Sequence, residues 1–170
     1  MSKIEEKVEA LLTNTIENLG YELYDVIYEK EAQNYYLRIF IDKPEGIDLN
    51  DCEKVNDTIS NMLDEANYIK DPYFLEVSSP GIERMLRKEK HLQQSIGKEI
   101  TLKLYQPIIV TNETEINSNK NKKKAISLKE IDGILQQFDE NTITIKTKED
   151  KILTMERNNI AMMNLKYHWE

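Results

Sequence analysis

The chain has 170 residues, 39% hydrophobic and 32% charged, with a formal net charge of −8 at pH 7. That length suits one domain or two small ones, and the composition fits a globular protein with a highly charged surface. No apolar run approaches a bilayer span, no signal peptide is expected, and the single cysteine, Cys52, excludes an intrachain disulfide framework and a cysteine-cluster metal site, so a reducing, cytoplasmic setting is expected.

The charge is unevenly divided. Residues 1–80 carry 7 Lys and Arg against 18 Asp and Glu, a balance of −11, whereas residues 81–170 carry 16 against 13, a balance of +3. An acidic first half repels phosphate and attracts a basic protein surface, which leaves the second half as the better candidate for RNA contact. A solvated surface that merely keeps the protein in solution is the plainer reading of the same numbers.

In chain order, Ser2-Lys3-Ile4-Glu5 matches a capping box, so a helix should follow. Ile4, Val8, Leu11, Leu12, Thr15 and Leu19 form its apolar stripe, and Gly20 is placed to end it. Residues 21–28 and 35–42 read as a hairpin turning near Ala32-Gln33-Asn34. In the second strand Tyr35, Leu37, Ile39 and Ile41 face one way and Tyr36, Arg38 and Phe40 the other. Lys43-Pro44-Glu45-Gly46 breaks the strand, and Asp48 caps a second helix with Cys52, Val55, Ile59, Met62, Leu63 and Ala66 on its core side. Its other faces carry Asp51, Glu53, Asp57, Asp64 and Glu65. A third strand over 73–78 completes an α-β-β-α-β domain, residues 1–80, whose three-stranded sheet has both helices on one face. The opposite face would then present Tyr24, Tyr36, Phe40 and Phe74 with Arg38, either stacking RNA bases or packing under a neighbouring segment.

The third strand stops at Ser79-Pro80-Gly81-Ile82, where Pro80 presets φ and Gly81 supplies the positive φ of a type II turn. Ser78 and Ser79 place two hydroxyls at the strand end, and Arg84, Arg87 and Lys88 follow closely. A turn of fixed shape carrying hydroxyls and cations suits contact with a partner, although an ordinary linker would look the same. Residues 81–96 are expected to be a linker with a short helix over 88–95. From Gly97 onward, short stretches rich in Ile, Leu and Thr at 99–105, 131–138, 141–147, 151–155 and 160–165 suggest a small SH3-like or Sm-like β-barrel, with Arg157-Asn158-Asn159 as a one-turn helix before the last strand. Residues 106–130, with the lysine-rich run 117–124, interrupt the pattern and are expected to be a long, mobile insertion loop.

Catalytic motifs are absent. There is no phosphate-binding loop, no GxGxxG and no HExxH, and the two histidines, His91 and His168, lie in separate segments without metal-ligand spacing. Cys52 falls on the apolar stripe of its helix and reads as a buried structural thiol. No enzymatic activity, cofactor, metal, membrane or small-molecule partner is expected.

Leu75-Glu76-Val77-Ser78-Ser79-Pro80-Gly81 followed by Arg84 resembles the signature of the ribosome maturation factor RimP family. That family usually has Arg-Pro-Leu where this chain has Arg84-Met85-Leu86. The resemblance extends through residues 37–44 and 47–52, and through Ile96-Gly97-Lys98 and Gly133-Ile134-Leu135, with 106–130 longer than the commoner form. It implies a cytoplasmic, non-enzymatic, monomeric factor for maturation of the small (30S) ribosomal subunit. Such a factor binds the free or immature subunit and helps a basic ribosomal protein of the decoding region to join. The alternative is a general RNA-binding adaptor of the Sm-like or KH-like type. Candidate partner or RNA contacts are Ser78, Ser79, Pro80, Gly81, Arg84 and Arg87 at the junction, and Asp51, Glu53 and Asp57 on the second helix.

Overall fold

The computed structural model describes residues 1–113 and 123–168 and divides the chain into two compact units, Met1–Gly81 and Ile82–Glu170. In the first unit, helix α1 (Lys3–Asn18) starts at the capping box: Ser2 Oγ accepts the Glu5 N–H at 3.2 Å, and Glu5 Oε1 accepts the Ser2 N–H at 2.9 Å. The other oxygen of Glu5 accepts the Tyr28 N–H at 2.9 Å, which ties the helix start to strand β1 (Glu22–Glu31). The helix ends in a Schellman closure, with the Gly20 and Tyr21 N–H groups donating to the carbonyls of Glu17 and Ile16.

A two-residue turn at Ala32 and Gln33 joins β1 to strand β2 (Asn34–Asp42), and Ala32 adopts φ 54° there. Helix α2 (Leu49–Ala66) carries the chain to strand β3 (Tyr73–Ser78), which lies parallel to β2. The strand order is β1-β2-β3, so β2 is central and β3 is an edge. Both helices share one core with the sheet. Val8, Leu12 and Ile16 of α1 and Val55, Ile59 and Leu63 of α2 are buried with Leu37, Ile39 and Ile41 of β2. Each such side chain, fully withdrawn from water, contributes about 1.5–3 kcal/mol. Ile16 is absent from the stripe predicted for α1, yet it lies four residues after Leu12 and is fully buried.

In the second unit, residues 82–96 are integral rather than a separate connector. The Leu86 N–H donates to the Met163 carbonyl at 2.8 Å, and the Leu165 N–H donates to the Arg84 carbonyl at 3.0 Å. Leu86, and Leu92 from the short helix α3 (Glu89–Ser95), enter the second core. That core lies against strands β4 (Glu99–Glu113), β5 (Lys123–Phe138), β6 (Thr142–Lys146), β7 (Ile152–Glu156) and β8 (Ile160–Leu165), with a one-turn 3-10 helix at Arg157–Asn159. The order is β7-β6-β5-β4-β8, antiparallel throughout.

Two expectations are corrected. The five strands form a sheet with β7 and β8 at its ends rather than a closed ring of hydrogen bonds. The stretch 106–130 is not a loop where it is described: β4 and β5 continue through it, paired from Ile108–Leu128 to Glu113–Lys123. Pro107 falls within the register shift between Lys103 and Ile108, a position where its missing N–H breaks no ladder bond. There the Asn159 side chain substitutes for a strand, accepting the Gln106 N–H at 2.9 Å and donating to its carbonyl at 3.0 Å. Most of the lysine-rich run, residues 117–122, lies outside the described residues.

Candidate functional site

The predicted contact residues fall into three groups. At the end of β3, Ser78 is half-buried and Ser79 exposed, and Ser79 Oγ accepts the Gly81 N–H at 3.2 Å. Gly81 has φ 86°, the left-handed value expected of it after Pro80. Arg84 and Arg87 are half-buried, and their backbones are already committed. The Arg84 carbonyl serves β8, while the N–H groups of Arg87 and Lys88 both donate to His91 Nδ1, at 3.0 and 3.1 Å. His91 is 1% exposed, and accepting two amide protons requires its Nδ1 to be unprotonated. It therefore caps the start of α3, a role that its spacing from His168 gave no hint of.

On α2, the three acidic candidates separate. Asp51 is a structural residue: it accepts the Tyr21 hydroxyl at 2.5 Å, the Asp48 N–H at 2.9 Å and Lys43 Nζ at 3.2 Å, and Asp48 Oδ1 accepts its own N–H at 2.9 Å. These bonds, the Asp48 backbone bond foremost, hold its carboxyl well below the usual carboxylate range. The Tyr21 phenol is pushed up to about 12, first by the Asp51 bond and then by burial. Glu53 and Asp57, by contrast, are exposed, as is Asp64. At 100° per residue these three lie within about 40° of one another, on the side away from Val55, Ile59 and Leu63. The last turn of α2 has no basic residue, so Asp64 and Glu65 sit uncompensated at the negative end of the helix dipole.

The sheet face away from the helices forms the third group. Tyr36 stacks on Phe74 with ring centroids 5.5 Å apart, and the Arg38 guanidinium lies 4.9 Å from the Tyr36 centroid. Register explains the grouping, since Tyr36 pairs with Phe74 and Arg38 with Glu76 across β2 and β3. Arg38 is held by three carboxylates: Glu76 at 2.9 Å, Glu31 at 2.8 Å and Glu29. Its pKa is raised, led by the Glu31 bond, and Glu31 is correspondingly lowered. Tyr24, expected beside these residues, is buried at the bulge between Leu23 and Asp25.

The chemistry elsewhere is that of pairing and packing. Cys52 is half-buried rather than buried, and desolvation raises its pKa, disfavouring the thiolate. Among the described residues no cluster of three or more His, Cys, Asp or Glu side chains is placed to hold a metal ion. An open groove of about 750 Å3 lies between the β4 extension and β7, and of its lining side chains only Tyr105 and Glu156 ionise. In a second groove, burial pushes Asp132 up, but bonds from Lys166 at 2.5 Å and Thr101 at 2.6 Å outweigh it and leave the carboxyl lowered. Among the described residues no helix is long and apolar enough to cross a membrane.

The fold and its surfaces define a two-unit α+β protein whose first unit carries charged faces on α2 and on its sheet. Residues 11–83 match the family model of the RimP N-terminal domain, a span that takes in α2, the sheet and the Ser78-Ser79-Pro80-Gly81 stretch. The chain carries the N-terminal domain of the ribosome maturation factor RimP family, and a general role in ribosome maturation follows from it.

Proposed function

We propose that this chain is a non-enzymatic, cytoplasmic, monomeric factor for maturation of the small ribosomal subunit. It binds the free or immature subunit and assists a basic ribosomal protein to join. The observation that carries this reading is the coincidence of the RimP N-terminal match, residues 11–83, with the acidic half of the chain. The exposed stripe Glu53, Asp57 and Asp64 offers a basic protein three carboxylates on one rigid helix. Ser78, Ser79, Pro80, Gly81, Arg84 and Arg87 serve as the junction contact, and the more basic second unit meets ribosomal RNA. That unit we read as a partly open SH3-like barrel, supported by its strand order and by the 3-10 turn before β8.

A general RNA-binding adaptor is the rival, favoured by the +3 balance of residues 81–170. The two are separated by measuring binding of the full chain to purified basic small-subunit proteins and to naked ribosomal RNA across a salt series. The assembly role predicts preference for protein, lost on charge reversal at Glu53 and Asp57. Tight RNA binding with a steep salt slope, unchanged by that reversal, would favour the adaptor.

A further inference from the structure

We infer that the open face of the first unit's sheet, around Phe74, docks an extended arginine- or lysine-rich protein segment. This rests on the proposed engagement of a basic protein by the acidic unit, and it adds to the α2 stripe a second contact surface for that engagement. Phe74 is 56% exposed, and on the same sheet face the side chains of Glu29, Glu31 and Glu76 are 44%, 55% and 47% exposed. One guanidinium faces these three carboxylates, which leaves two negative charges in excess on the face that carries the exposed ring.

The internal arrangement shows what such a surface accepts. Arg38 lies over the Tyr36 ring, Tyr36 stacks on Phe74, and the far face of Phe74 continues the series. A second cation over Phe74 gains both the ring quadrupole and the excess carboxylate charge. A nucleic-acid base would find the ring, but its phosphates would meet carboxylates, and Arg38 has its Nη1 and Nε bonds directed to glutamates. β3 is also an edge strand, so an extended segment can add main-chain bonds along residues 73–78 while its cations reach the face.

The test is a backbone-amide NMR titration of the full chain with a peptide of alternating arginine and glycine, repeated with oligouridine. The expected result is saturable shifts at Glu29, Glu31, Tyr36, Phe74 and Glu76, with Phe74→Ser and Glu31→Lys each weakening the peptide about fivefold. Both positions are exposed, so the remaining spectrum reports whether each variant is folded. Shifts confined to α2 around Glu53 and Asp57 would overturn the docking face and leave the acidic-unit reading standing. No shifts anywhere in the first unit would overturn both. Unchanged affinity in Phe74→Ser, or oligouridine perturbing the same face, would overturn the inference.

Discussion

The hydroxyl of Tyr21 donates to Asp51 Oδ1 at 2.5 Å across thirty residues of sequence, joining the end of α1 to the start of α2. Each partner is also held locally, Tyr21 by the Schellman closure and Asp51 by the reciprocal cap with Asp48. The bond therefore ties two capped helix ends to each other. It raises the phenol from 10.0 to about 12. A folded-state pKa above the unfolded value means the stabilisation is fully present below pH 10 and is lost as pH rises through about 12. Tyr21→Phe should lower stability at neutral pH and flatten its decline over that alkaline window, as measured by denaturant titration at stepped pH. An unchanged alkaline profile would assign the shift to another group. Asp51 acts at the opposite end: its pKa is depressed, so its contribution is present above the ordinary carboxylate range and is lost as pH falls below it.

Arg38 governs a second pH response. Glu31 is lowered chiefly by its bond to Arg38, so its contribution is present above the ordinary Glu range and fades with acidification. Arg38→Met should return the Glu31 carboxyl upward and leave Glu29, Glu31 and Glu76 repelling one another. Side-chain carboxyl NMR titration reads this directly, and a Glu31 midpoint that does not move would show that the pairing is absent in solution.

Two glycines should fail for different reasons. A Cβ at Gly133 would lie 2.8 Å from Ile145 Cδ1 and 3.1 Å from the Lys146 carbonyl, so Gly133→Ala overpacks the β5–β6 contact. Its expected cost is about 1–3 kcal/mol. Gly81 has open space around it but φ 86°, so Gly81→Ala costs about 1–2 kcal/mol through backbone conformation alone. Denaturant unfolding measures both. Relief of the Gly133→Ala defect by Ile145→Val, with no such relief for Gly81→Ala, would separate the mechanisms.

The acidic face of α2 should trade stability for binding. Asp64→Lys removes an unfavourable charge at the helix C-terminus and should stabilise the protein by about 0.3–1 kcal/mol. Glu53→Lys with Asp57→Lys should leave the fold intact and weaken the basic partner. Asp51→Lys is a poor probe of binding, because it breaks the α2 cap and the Tyr21 contact together. Thermal melts beside partner-binding isotherms resolve the two effects.

Much of the first unit is readable from local chemistry. Ser2 and Glu5, and Asp48 before α2, announce their helices, and the alternation in β2 sorts Leu37, Ile39 and Ile41 from Tyr36 and Arg38. What sequence left hidden depends on tertiary pairing. Asp51 looked like a surface charge because its Tyr21 partner lies thirty residues away, and the three carboxylates around Arg38 come from β1 and β3. The polar composition of 106–130 masked an alternation that places Ile108 and Leu128 against the second core. His91 offered no motif because the backbone amides of Arg87 and Lys88, which it accepts, carry no side-chain signature.

The most direct test of the maturation role is sucrose-gradient fractionation of cell lysate, with detection of this protein and of a Glu53→Lys/Asp57→Lys variant, after crosslinking to retain weak complexes. The expected result is co-migration of the native protein with free small subunits, its absence from whole ribosomes and polysomes, and a shift of the variant toward the top of the gradient. A crosslinked native protein that stays at the top of the gradient, or that sediments equally with mature ribosomes, would contradict it.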